Sequence, residues 1–87
     1  MAKFSYNMSD SQAVLAFKKA FAGAGIGSIA ILKDKGNSFV LGSPLMTVNV
    51  EFKGGLCTTK SSLFGKALEG TVNAKIELID GFEKSMA

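Results

Sequence analysis

Histidine, arginine and tryptophan are absent from this chain, and cysteine and proline occur once each, as Cys57 and Pro44. Without histidine the commonest general base, metal ligand and near-neutral switch are missing. One cysteine cannot close an internal disulfide, and a structural metal usually takes several Cys or His ligands. The fold must therefore hold by packing alone, with no cofactor expected. All ten cations are lysine. Lysine lacks the planar fork that reads guanine edges and phosphates, so sequence-specific nucleic-acid binding is not expected. No stretch reaches the roughly 18 apolar residues that a membrane span needs. Met1 to Ser9 has no long apolar region after Lys3 and does not read as a secretory leader. With a free thiol, that points to the cytoplasm.

What is present is a full core pattern. The 87 residues, 47% of them hydrophobic, suit one domain over 1–87. A chain of this size buries about two-thirds of its unfolded surface. The net charge of +3 is modest and its lysines are scattered.

Lys3 to Met8 alternates, with Phe4, Tyr6 and Met8 on one side, and reads as a half-buried strand. Ser9 and Gln12 have capping-box spacing. They predict a helix from Asp10 to Ala22 with Ala13, Val14, Phe17, Ala20 and Phe21 as its buried stripe. Gly23, Gly25 and Gly27 end it. This run follows a helix, whereas a dinucleotide loop precedes one. A meander comes next, with strands at Ser28 to Lys33, Ser38 to Leu41, Leu45 to Lys53 and Leu56 to Ser62. Gly54-Gly55 is a two-residue hairpin turn that sets Phe52 opposite Cys57, Val50 opposite Thr59 and Val48 opposite Ser61.

The stretch from Leu63 to Ala87 has two readings. Thr71 to Leu78 alternates like a strand. Over the longer window, Lys66, Glu69, Asn73, Glu77, Asp80 and Lys84 fall on one stripe. Phe64, Leu68, Val72, Ile76, Ile79, Phe82 and Met86 fall on the opposite one, which predicts one long helix. The expected architecture is α+β: a five-stranded antiparallel sheet with two helices on one face, in the order β-α-β-β-β-β-α.

Lys75 projects near the middle of that apolar stripe, and Thr59 and Ser61 share the inward face of the sheet. Together they suggest a cleft between sheet and C-terminal helix for an apolar molecule bearing a carboxylate. The plainer reading is a packed lysine stem with its ammonium reaching solvent. Cys57 reads as a small buried hydrophobe, since no His, Arg or second Cys lies near it in sequence to lower its pKa. Glu51, Glu69, Glu77, Asp80 and Glu83 fall on outward faces, so no acid/base pair is expected. Phe4, Tyr6 and Phe39 with scattered lysines form a stacking platform for single strands only if they are exposed; the cheaper reading is core.

The segment Thr47-Val48-Asn49-Val50-Glu51-Phe52, the Gly54-Gly55 turn, Leu63-Phe64-Gly65-Lys66 and the amphipathic stretch after them resemble the polyhydroxyalkanoic-acid-system proteins. The resemblance covers about half the chain. It implies a granule-associated or apolar-ligand role and carries over no functional residue. Taken together, the sequence predicts a non-enzymatic module that binds a protein partner or itself as a homo-oligomer, of the kind that phages and mobile elements use as inhibitors. The alternatives are a carrier of an apolar anionic ligand and a weak non-specific nucleic-acid binder.

Overall fold

The computed structural model describes residues 2–22 and 29–85. The glycine run at 23–27 and Met86 lie outside the described residues. The elements are β1 (Ala2–Tyr6), α1 (Asp10–Phe21), β2 (Ile31–Asp34), β3 (Ser38–Ser43), β4 (Met46–Lys53), β5 (Leu56–Ser61), α2 (Lys66–Glu77) and β6 (Phe82–Lys84). The strands form one antiparallel sheet in the order β2-β3-β4-β5-β1-β6.

Local chemistry sets most of these boundaries. The Ser9 side chain accepts from the Gln12 N–H while the Gln12 side chain accepts from the Ser9 N–H, so the capping box starts α1 as expected. Gly54 and Gly55 take φ of 58° and 85°, as a tight hairpin of matching twist requires. The resulting register is the expected one, from Lys53 opposite Leu56 to Val48 opposite Ser61.

One face of the sheet carries the core. Phe4, Phe39, Leu41, Val48, Val50, Phe52 and Cys57 point inward, and both helices close over them with Ala13, Phe17, Val72 and Ile76. Phe52 sits at the hub, its ring facing those of Phe17, Phe39, Tyr6 and Phe82. The opposite face is polar: Lys3, Asn49, Glu51, Lys53 and Lys60 are exposed there.

The C-terminal quarter corrects the sequence reading. The sheet has six strands, not five, and the long helix over 63–87 is instead a 12-residue helix followed by a turn and a strand. Leu78 donates to the Lys75 carbonyl and Ile79 to the Ile76 carbonyl, tightening the last turn, and Gly81 at φ 87° reverses the chain. Phe82 then fits the apolar side not as helix but as strand: Tyr6 lies opposite it, and the two rings are 5.4 Å apart. Three ladder positions beside β1 and one aromatic contact outweigh two further helical turns. The alternative strand at Thr71 to Leu78 is helix for most of its length.

Candidate functional site

The sequence-predicted trio divides. Thr59 is fully buried on β5, and its hydroxyl donates to Asn73 Oδ1 at 2.7 Å, with Glu69 Oε2 at 3.5 Å. Ser61 donates to Glu69 Oε1 at 3.2 Å. The two hydroxyls are thus brought together, but their partners are Glu69 and Asn73 on α2. Periodicity alone puts both on the outward stripe. The ammonium of Lys75 lies 5.0 Å from the centre of the Phe21 ring, a cation–π contact with the end of α1. Thr59 and Ser61 therefore staple α2 to the sheet. Removing Asn73 leaves the buried Thr59 hydroxyl only the long 3.5 Å contact with Glu69. Asn73→Ala is expected to cost about 1–3 kcal/mol of stability, and Thr59→Val made in that background is expected to recover part of it. A double-mutant cycle by urea denaturation reads the difference; full additivity would contradict it.

A second polar joint locks the far end of the sheet. The Tyr6 hydroxyl donates to Asp10 Oδ1 at 2.5 Å, and the backbone N–H groups of Gly55 and Gly54 donate to the same carboxylate at 3.1 and 3.2 Å. The start of α1 is thereby tied to the β4–β5 turn. Burial, then the Asp10 carboxylate, push the Tyr6 phenol above its usual range. The Tyr6 hydroxyl, then the Gly55 N–H, hold Asp10 below its usual range. A carboxylate whose folded pKa is depressed stabilises the fold above its unfolded pKa, and that stability fades as pH falls through the folded pKa. Asp10→Asn is therefore expected to lower the melting temperature at pH 7, with the gap to wild type closing on acidification below the ordinary carboxylate range. A gap that widened on acidification would contradict the assignment.

Chemistry-bearing groups are otherwise absorbed. Burial pushes the Cys57 thiol up to about 12, so at neutral pH it is an inert thiol in the core. Phe4, Tyr6 and Phe39 are core residues, as the cheaper reading had them. Among the described residues no cluster of three or more His, Cys, Asp or Glu is placed to hold a metal ion, and no helix is long and apolar enough to cross a membrane. A groove of about 350 Å³ runs between the start of α1 and the β2–β3 turn, lined by Asp10, Ser11, Val14, Gly36 and Asn37. The Asp10 carboxylate on its wall is already spent on Tyr6 and the glycine N–H groups.

The feature that stands out lies at the other end of the sheet. Ser43 pairs with Met46 across the β3–β4 turn, so Pro44 and Leu45 form its tip. The loop from β5 to α2 lies against it. Ser62 donates its N–H to the Thr47 carbonyl at 2.9 Å, and the Ser62 hydroxyl accepts from the Thr47 N–H at 3.2 Å. Gly65 permits the close approach, since a Cβ there would come within 2.5 Å of the Thr47 oxygen. These two turns present Leu45, Met46, Leu63 and Phe64 to solvent at 79%, 46%, 81% and 70% exposure. Leu15, Leu32, Leu56 and Leu78 are also exposed, but they sit on separate elements. Lys66, the first residue of α2, is exposed two positions after Phe64. A helical stripe that begins at Phe64 conceals this patch, although the Gly54-Gly55 register, carried two or three positions past Val48 and Ser61, sets the two turns side by side.

No family model, curated protein or solved structure matches the chain.

Proposed function

We propose that this chain is a small non-enzymatic module that docks onto a protein partner or onto itself, and that the tip formed by Leu45, Met46, Leu63 and Phe64 is its working surface. The observation that carries this reading is four large apolar side chains held in the open on two turns that hydrogen bonds clamp together. Scattered apolar residues on a surface are ordinary, whereas the largest contiguous apolar patch of a small domain is often functional. The two alternatives have less behind them. The hydroxyls meant to floor a ligand cleft are bonded to Glu69 and Asn73. The aromatic rings meant to stack bases lie in the core.

A photo-crosslinking side chain placed at position 63, with position 36 at the opposite end as control, tests this reading in purified protein and in native extract. Discrete adducts from position 63 and none from position 36 are expected. Absence of any adduct from position 63, to itself or to another protein, would remove the proposal.

A further inference from the structure

The fold gathers lysines that are scattered along the chain. Between residues 18 and 37 the sequence carries Lys18, Lys19, Lys33 and Lys35 against one carboxylate, Asp34. Everywhere else six lysines are balanced by six carboxylates. The whole net charge of +3 therefore belongs to this one stretch. Its two ends meet in space: the Lys18 ammonium lies 2.9 Å from Asp34 Oδ2 and joins the last turn of α1 to β2, an edge strand of the sheet. Asp34 pairs with the core residue Phe39 and so lies on the helix side of the sheet. Lys33 pairs with Val40 and lies on the outer side, and Lys35 enters the turn that follows. Four lysines thus surround one free edge. All four are exposed, and among the described residues Lys19, Lys33 and Lys35 make no ion pair.

We propose that this corner binds the phosphate backbone of double-stranded nucleic acid, without regard to base sequence. It lies at the far end of the sheet from the tip and is independent of the docking reading above.

Charge complementarity carries the inference. A basic patch confined to one edge of an otherwise balanced surface is an electrostatic footprint for a polyanion. Lys18 and Lys19 also suit the dipole at the end of α1. Lys33 and Lys35, on a strand and a turn, lie outside that role. The groove wall beside Gly36 and Asn37 carries Asp10, but that carboxylate is taken up by Tyr6 and the Gly54 and Gly55 N–H groups.

The surroundings choose among polyanions. A protein interface is anchored by aromatic side chains, Met and Arg and is poor in lysine. Between residues 18 and 37 the one large apolar side chain left exposed, among the described residues, is Leu32, and no exposed aromatic accompanies it. A basic helix on a membrane inserts its apolar face, and that of α1, with Ala13, Phe17 and Phe21, is in the core. Single strands need rings on which to stack, and Phe39 and Tyr6 are core residues. A duplex needs none of these. Its phosphates accept point charges such as lysine, and its protein interfaces are polar and strongly positive. The absence of arginine removes the commonest base-reading contact, which leaves the backbone as the target.

Fluorescence anisotropy with a labelled mixed-sequence DNA duplex of about 20 base pairs, titrated from about 20 to 200 mM salt, tests the proposal. The full chain is expected to bind in the micromolar range at low salt. The logarithm of the affinity should fall against the logarithm of salt with a slope of about −3, one contact for each of the three lysines without an ion pair. Lys19→Gln/Lys35→Gln is expected to reduce the slope to about −1 and to weaken binding at low salt at least about tenfold, with circular dichroism unchanged. If that variant fails to fold, Lys33→Gln/Lys35→Gln takes its place. Lys66→Gln/Lys84→Gln removes the same net charge from other elements and is expected to keep the wild-type slope. No binding at the lowest salt, a slope the corner substitutions leave unchanged, or an equal loss in the Lys66/Lys84 variant would each overturn the inference. So would corner-dependent binding to a polyglutamate peptide or to phosphatidylserine vesicles that is tighter than binding to the duplex. A protein captured by the crosslinking side chain at position 36, beside Lys35, would likewise replace the duplex with an acidic protein.

Discussion

Phe52→Ala is expected to lower the unfolding free energy by about 3–5 kcal/mol. Phe52 is fully buried, and its ring lies 5.2 Å from Phe17, 5.9 Å from Tyr6, 6.0 Å from Phe39 and 6.3 Å from Phe82. Those partners come from α1, β1, β3 and β6, so the cavity opens where four elements meet. The surrounding rings are held by their own packing and cannot collapse into the space, which puts the cost at the upper end of such changes. A domain of this size has roughly 5–15 kcal/mol in total. The melting temperature should fall by roughly 15–30 °C, since each kcal/mol is worth about 4–8 °C in a chain this short. Phe52→Leu should recover more than half of the loss. A fall of only a few degrees for the alanine variant would mean that the aromatic hub does not hold the elements together.

Gly42→Ala is expected to cost a similar amount, roughly 3–5 kcal/mol, for a different reason. Gly42 takes φ of 114°, where an L side chain is strained. A Cβ there would stand 2.1 Å from the Met46 carbonyl oxygen and 2.7 Å from the Leu68 side chain. The Leu68 contact is with the far end of a side chain, but the Met46 carbonyl belongs to the β3–β4 ladder and moves only if the turn moves. The turn carries Leu45 and Met46, so this substitution should also weaken association through the tip. Gly36→Ala is the control: φ there is 91°, yet nothing lies within 4 Å of the added methyl. Its cost should be the backbone term alone, about 1–2 kcal/mol. Equal losses at the two sites, read by urea denaturation, would show that the close approach to Met46 carries no weight.

The elements legible in the sequence were those whose signals are local. Ser9 and Gln12 fix the start of α1, and Gly54-Gly55 sets the pairing of Val50 with Thr59 without knowledge of the rest of the molecule. The C-terminal quarter misled because Phe82 satisfies a helical stripe and a strand equally well; only the place beside Tyr6 decides between them. Asp80-Gly81 was the local hint of a stop. Glu69 and Asn73 were assigned to solvent because a helix face was read against water. The sheet below α2 bears two hydroxyls, and buried hydroxyls draw polar partners from the helix above them. Periodicity sets Lys75 near the middle of the apolar stripe, facing the sheet; its ammonium instead lies against Phe21 of α1, in a direction no periodicity specifies. The tip was hidden for another reason: the Gly54-Gly55 register, carried past Val48 and Ser61, already sets Met46 opposite Leu63 and Leu45 opposite Phe64, but a helical stripe through Phe64 competes with that pairing.

Amide and methyl NMR spectra recorded across a dilution series, and again in native extract, test the role of the tip most directly. Resonances of Leu45, Met46, Leu63 and Phe64 should shift or broaden together in at least one of the two series, while those of Val14 and Leu56 stay fixed. Tip resonances unchanged in both, or shifts confined to the polar face of the sheet, would contradict the account.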